Sequence, residues 1–275
     1  MFDDSQLDLL LEIVREAASE EILPRFRKLA AGDIAEKKSS IDLVTDADLM
    51  SEKRITRRLL EHFPGAHIVA EEAYENDRSV IKGLRDADLA FVIDPVDGTF
   101  NFQAGLPMFG TNLAVVSKGA TVAAIIHEAV MGDSLVAIKN GGARFIGHDG
   151  TEMTIAVAPS VPLSTMVGTI SMNDIAYKER RRIAGNLAKT RMAFGYNCSA
   201  YEYWMAATGK VHFIGHHSLM PWDHLAGVLI HTEAGGYTAR FDGSPYLPGD
   251  TSGGILSAPD RDCWEMILAE IVQAI

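Results

Sequence analysis

Phe91-Val92-Ile93-Asp94-Pro95-Val96-Asp97-Gly98-Thr99 is the stretch whose reading decides the fold. The apolar run from Leu89 to Ile93 reads as a buried strand. It ends in two carboxylates three residues apart, Asp94 and Asp97. Pro95 removes a backbone donor and fixes φ, so the strand is expected to stop there. Gly98 permits a turn that other residues make only at a cost. Thr99 offers a hydroxyl and an N-cap for a helix from Phe100 onward. Acids held at a strand end attract a hard cation, and outward-facing amides attract a phosphate. Asp, Pro and Gly are also ordinary turn residues, so the reading needs support from the rest of the chain.

That support lies on both sides. Upstream, Asp42-Leu43-Val44-Thr45 leads into a helix over 46–62, with Asp46 and Asp48 in its first turn, where the helix dipole favours acids. His67 to Ala70 reads as a strand that ends, again, in acids: Glu71-Glu72. A first helix is expected over 5–30, interrupted at Pro24, and a polar loop or hairpin carrying Lys37 and Lys38 over 36–41. Asp77 to Asp88 reads as surface. Downstream, 110–145 alternates apolar runs with Gly-containing turns, the pattern of an antiparallel meander. Beyond it, strands (166–170, 191–196, 211–214, 237–241, 254–257) alternate with helices (a cap at Asn173 or Asp174 through Lys189; 199–208; 222–233; 260–275). Pro221-Trp222-Asp223 brings a third acidic point, which alone would read as a helix N-cap. His216, His217, His224 and His231 lack zinc spacing, and His224 and His231 read as structural or surface residues.

The pattern predicts an α+β fold (mixed α/β) of two sheets with helices between and outside them. It divides into an N-terminal half, 1–150, and a C-terminal half, 151–275, in one compact unit. At 275 residues the chain is long enough for a sizeable core. A net charge of −12 argues against nucleic acid or an anionic membrane as main partner. It also means that an anionic substrate would need cations at the site. Cys198 and Cys263 make neither a disulfide framework nor a zinc site. No run crosses a bilayer and the N-terminus is acidic where a leader would be basic, so a cytoplasmic protein is expected. No Gly-x-Gly-x-x-Gly follows the first strand, which excludes a Rossmann-type cofactor site.

Taken together, these stretches resemble the inositol monophosphatase family, within the fructose-1,6-bisphosphatase-like group of magnesium-dependent, lithium-sensitive phosphatases. The Asp-Pro-Ile/Val-Asp-Gly-Thr core stands at Asp94 to Thr99, with Asn101-Phe102 after it. The Trp-Asp motif stands at Trp222-Asp223-His224-Leu225-Ala226-Gly227, with Glu233-Ala234-Gly235-Gly236 after it. Asp42 to Thr45 and Glu71-Glu72 match in the family's order. The resemblance covers residues 5–275 and implies a layered α-β-α-β-α sandwich.

The resemblance also implies roles. Glu71, Asp94 and the Val96 carbonyl would hold one Mg2+, and Asp94, Asp97 and Asp223 a second. Glu71 would touch a third through water, giving two or three ions per site. Gly98 and Thr99 would offer amides to the phosphate, and Thr99, Asp48 and Glu71 would orient and deprotonate the attacking water. The implied substrate is a small phosphorylated metabolite, inositol 1-phosphate by default, and the implied assembly a homodimer. Two positions depart from the family. His216 stands where animal members carry a substrate-contacting glutamate, and Asn197-Cys198-Ser199 replaces the small residues on the sugar side. Asn197, Ser199 and His216 are therefore the substrate-facing candidates, and histidinol phosphate, fructose 1,6-bisphosphate and a 3′-phosphonucleotide are rival substrates.

Overall fold

The computed structural model describes residues 2–28, 34–39, 42–173 and 175–274, with backbone alone at 34–39, 42 and 43. Lys37, Lys38 and Asp42 thus have no described side chain, and Ile41 and Asp174 lie outside the described residues. In chain order, α1 (Asp4–Ala17) precedes a hairpin of β1 (Ile34–Ser39) and β2 (Asp42–Thr45). Next come α2 (Asp46–His62), β3 (His67–Ala70), α3 (Glu71–Asn76), β4 (Ala90–Asp97) and α4 (Thr99–Gln103). The meander is β5 (Gly110–Ser117), β6 (Ala120–Glu128), β7 (Asp133–Ile138), β8 (Ala143–Ile146) and β9 (Glu152–Thr154). The remainder is β10 (Val167–Ile170), α5 (Tyr177–Leu187), β11 (Met192–Ala193), α6 (Ser199–Ala207), β12 (Phe213–His216), α7 (Pro221–Glu233), β13 (Tyr237–Arg240), β14 (Ile255–Ala258) and α8 (Arg261–Ile267).

A seven-stranded sheet runs β3-β4-β5-β6-β7-β8-β9, antiparallel except for the parallel β3/β4 pair. A five-stranded mixed sheet runs β11-β10-β12-β14-β13. Side chains alternate across β4. Phe91 and Ile93 pack on one face against Leu10, Val14, Ile55 and Leu59 of α1 and α2. Val92 packs on the other with Tyr203 of α6 and Trp222, Leu225 and Leu229 of α7. The far face of the smaller sheet, with Phe213 and Leu256, closes over Ile183 of α5 and Trp264 of α8. The layers are therefore α1/α2, large sheet, α6/α7, small sheet, α5/α8. Each fully buried Phe, Leu or Ile contributes about 1.5–3 kcal/mol. The α6/α7 layer is buried on both sides, so it cannot shift without disturbing both sheets.

Several expected boundaries are corrected. The first helix ends as an α-helix at Ala17 and continues as a wider π turn over Ala18–Ile22, ahead of Pro24. β4 does not stop at Pro95 but runs on to Asp97. The expected strand 191–196 is only Met192–Ala193. α5 begins after Ala176, not at Asn173, and ends at Leu187, not Lys189. The last helix is capped by Asp260, whose Oδ1 accepts the Cys263 N–H at 2.8 Å, and it turns to π geometry over Leu268–Gln273.

The α6/α7 seam is tight at Gly227, where a Cβ would lie 2.1 Å from the Tyr203 ring. Overpacking of this kind costs about 1–3 kcal/mol. Gly227→Ala is expected to lower the midpoint of urea unfolding clearly. Gly185→Ala, on an exposed helix face with nothing within 4 Å, is expected to raise it slightly.

Candidate metal and phosphate site

In a regular strand, residues three apart face opposite sides of the sheet. Asp94 pairs with Asn112 and Asp97 with Gly110, so a three-residue step on β4 meets a two-residue step on β5. The extra residue makes a bulge that returns Asp97 to the side of Asp94. Pro95 is tolerated there because a bulge leaves a backbone N–H unneeded, and the Thr111 hydroxyl secures the bend by donating to the Pro95 carbonyl at 2.8 Å. The bulge is followed by Gly98 at φ +90°, where a Cβ would meet the Met108 carbonyl at 2.9 Å and Cys198 Sγ at 3.1 Å. Gly98, not Thr99, occupies the cap position of α4, and Thr99 is its first residue. Asn101 ties this turn down by donating from Nδ2 to the carbonyls of Met108 and Tyr196 at 2.9 and 2.7 Å.

The third acid arrives from α7, whose cap position is Met220, so Asp223 lies inside the first turn and is not the N-cap. One oxygen from each of Asp94, Asp97 and Asp223 lies within 4.8 Å of the others. Glu71 joins them by register: Ala70 is level with Ile93 in the parallel β3/β4 pair, which sets Glu71 beside Asp94. Burial, then the charges of Glu71, Asp97, Asp223 and Asp48, hold the Asp94 carboxyl well above its ordinary range. Asp97 is raised by burial, but hydrogen bonds oppose this. Its Oδ1 accepts the Ser199 N–H at 3.1 Å, and its Oδ2 accepts the Ser199 hydroxyl at 2.7 Å, the Ala200 N–H, and Asn112 Nδ2 at 3.3 Å. The N-terminus of α6 thus sits on Asp97, where its dipole favours negative charge. An all-oxygen, acid-rich donor set of this kind suits a hard divalent cation.

Asp48 is fully buried in the first turn of α2. Its Oδ2 accepts the Thr45 N–H at 2.9 Å in a capping box, and its Oδ1 faces Thr99 Oγ1 at 3.1 Å. The same hydroxyl lies 3.0 Å from the Val96 carbonyl, and its single proton serves one acceptor at a time. Two polar residues that sequence reasoning did not single out hold this arrangement. Glu52 accepts the Glu72 and Ala73 N–H groups at 2.7 and 2.9 Å, which fixes the α3 terminus that presents Glu71. Asn112 faces Asp97 from β5.

The three substrate-side candidates separate. Asn197, in a left-handed conformation at φ +53°, lines a cleft of about 300 Å³ together with Ser171, Asn173, Phe194 and Glu202. Ser199 points to Asp97 and to the Asp223 carbonyl at 2.9 Å, so it braces the clustered acids and does not face the cleft. His216 is buried behind the cleft, between the Tyr203 and His224 rings. His224 and His231 are both buried, with burial lowering each pKa to about 4. His224 Nε2 lies 2.8 Å from the Ser218 carbonyl and His231 Nδ1 3.0 Å from Thr238 Oγ1, so both serve packing. Cys198 and Cys263 are free and buried.

Residues 4–275 match the model of the inositol monophosphatase family. The chain belongs to that family. It is 31% identical over 213 residues to a Thermotoga maritima protein named fructose-1,6-bisphosphatase/inositol-1-monophosphatase, covering 77% of each chain. It is equally 31% identical over 216 residues to the Escherichia coli protein named Nus factor SuhB, covering 76% of each. The solved structure of a Thermotoga maritima IMPase superposes with a TM-score of 0.80 at 24% identity, covering 98% of this chain and 96% of that one. That last likeness speaks for the fold, and it agrees with the α+β layering described above. Among the described residues, no helix is long and apolar enough to cross a membrane.

Glu202 supplies a test of the site's electrostatics that needs no turnover. Burial, and secondarily Asp97, raise its pKa from 4.5 to about 8, against a lowering hydrogen bond from the Tyr196 N–H. Across that window the folded state holds a proton that unfolding releases, so this group's contribution to stability falls as pH rises from 4.5 to 8. Glu202→Gln lacks the slope. Its melting temperature relative to wild type is expected to climb between pH 5 and pH 8 in metal-free buffer. A pH-independent difference would contradict the assignment.

Proposed function

We propose that the protein is a magnesium-dependent phosphatase that hydrolyses a small phosphomonoester by direct attack of water. One observation carries the reading: three carboxylates from two distant segments converge within 4.8 Å, with Glu71 and Asp48 close enough to raise Asp94 further. Glu71, Asp94 and the Val96 carbonyl would hold one ion, and Asp94, Asp97 and Asp223 a second. When bound, magnesium supplies positive charge to the acids and phosphoryl oxygens and makes water a stronger acid. The chain's own residues do the rest. Thr99 Oγ1, donating to Asp48 Oδ1, has lone pairs left to accept a proton from the attacking water, and Asp48 is the ultimate acceptor. The amides of Gly98 and Thr99 follow directly after the acids in the chain, and on this reading they meet the phosphate. Inositol 1-phosphate is the default substrate. Its support is the family match and the Thermotoga maritima relative's name.

The relative named Nus factor SuhB favours a second reading, a binding role without turnover. It also leaves the expectation of no nucleic-acid partner resting on net charge alone. Phosphate release from small monoesters separates the two readings, because a chain that is inert with every acid in place supports the second.

Asp94→Asn is expected to abolish magnesium-dependent phosphate release and to remove most of the rise in melting temperature that magnesium gives wild type. Thr99→Ala is expected to lower kcat by about a hundredfold or more while that thermal response survives. Unchanged turnover in Asp94→Asn would refute the assignment of the site.

A further inference from the structure

Among the described residues that line the cleft beside the acids, Glu202 alone is ionisable. Glu202 lies one helical turn beyond Ser199, whose amide and hydroxyl hold Asp97, so the cleft opens next to the acidic cluster. Its other walls are hydroxyl and amide groups of Thr169, Ser171, Asn173 and Asn197, and the apolar faces of Met172 and Phe194. Among the described residues lining it, none is Lys or Arg. Glu202 Oε1 accepts the Tyr196 N–H at 3.2 Å, while Oε2 stands 3.5 Å from His216 Nε2. That nitrogen is buried and makes no hydrogen bond. The separation is too long for a closed bond, and burial favours the neutral form of both groups. The pair is therefore no fixed ion pair. Glu202 keeps an oxygen that is uncommitted to any strong partner, at the wall of a cleft that adjoins the acids.

We infer that Glu202, backed by His216, selects the non-phosphate end of the substrate, and that this end carries hydrogen-bond donors, hydroxyl or amine, and no second phosphate. This rests on the phosphatase reading above. A carboxyl that can be neutral or charged accepts from either donor: a hydroxyl leaves it protonated, and an ammonium draws it into the carboxylate form, the proton passing to solvent. A second phosphate would meet an acid and no cation, which the site would penalise.

The test uses inositol 1-phosphate, histidinol phosphate and fructose 1,6-bisphosphate with wild type, Glu202→Met and Glu202→Gln, all in magnesium. Met keeps the length and removes the polar atoms; Glu202→Ser replaces it if the Met variant does not fold. Glu202→Met is expected to raise KM for the preferred donor-bearing ester about tenfold or more, with a smaller change in kcat. Gln is expected to restore KM if the donor is a hydroxyl, and to fail if it is an amine. The inference is overturned if kcat falls equally for all three esters without a change in KM, if nothing changes, or if fructose 1,6-bisphosphate is wild type's best substrate. If wild type releases phosphate from none of them, nor from a 3′-phosphonucleotide, the phosphatase reading fails. Calorimetric binding of the same esters with calcium then decides the inference: loss in Glu202→Met upholds it, and equal binding ends it.

Discussion

Carboxylates repel, and this fold forces several of them together. Two unit charges 4 Å apart at the effective dielectric near a protein surface cost about 4 kcal/mol. A hydrogen bond to a charged group returns about 1.5–3 kcal/mol. Asp97 accepts from Ser199 twice, from Ala200 and from Asn112, so its charge is compensated in part by the chain itself. Asp94 accepts from the Val96 N–H at 3.1 Å and faces four other acids. The deficit of positive charge is thus concentrated on Asp94, the residue assigned to both proposed ions.

The architecture around the acids follows from the need to hold them against that repulsion. Each acid stands at the end of a rigid element. Glu71 follows β3, Asp94 and Asp97 lie at the bulged end of β4, and Asp223 lies in the first turn of α7. The bulge is decisive, since without its extra residue Asp97 would point through the sheet toward α1 and α2. Gly98 and Gly110 then let backbone and α6 approach. A Cβ at Gly110 would lie 3.0 Å from the Ala200 methyl, in the turn that caps Asp97. Tight packing here fixes the acids more firmly than a loop would.

The acids, the meander and the alternation of the second half were legible in the sequence because each is a local signal. Apolar runs, turn residues and motif spacing sit within a few residues of one another. What was hidden depends on pairs far apart along the chain. Pro95 reads as a strand stop, and only its pairing with β5 shows a bulge. Glu52 carries no local signal, because the groups its carboxylate caps lie twenty residues on. Ser199 reads as substrate-facing until the α6 terminus is seen lying on Asp97. Glu202 does carry a local signal: it follows Ser199 by one helical turn, and so shares the face of α6 that meets the acids.

The two sides of the site are also built differently. The acids are fixed by register, a bulge and helix termini, all backbone features that side-chain substitution elsewhere disturbs little. The cleft is shaped by side chains of β10, the segment around β11, and α6, where β11 is only two residues long. There burial is the main cause favouring the neutral form of Glu202, beside an unbonded His216 Nε2. The same pair placed among the clustered acids would add a fifth repulsion to Asp94. The charge-gathering layer is therefore separate from the cleft wall, and the proposed reading of a substrate's non-phosphate end falls to residues that can change while the acids keep one geometry.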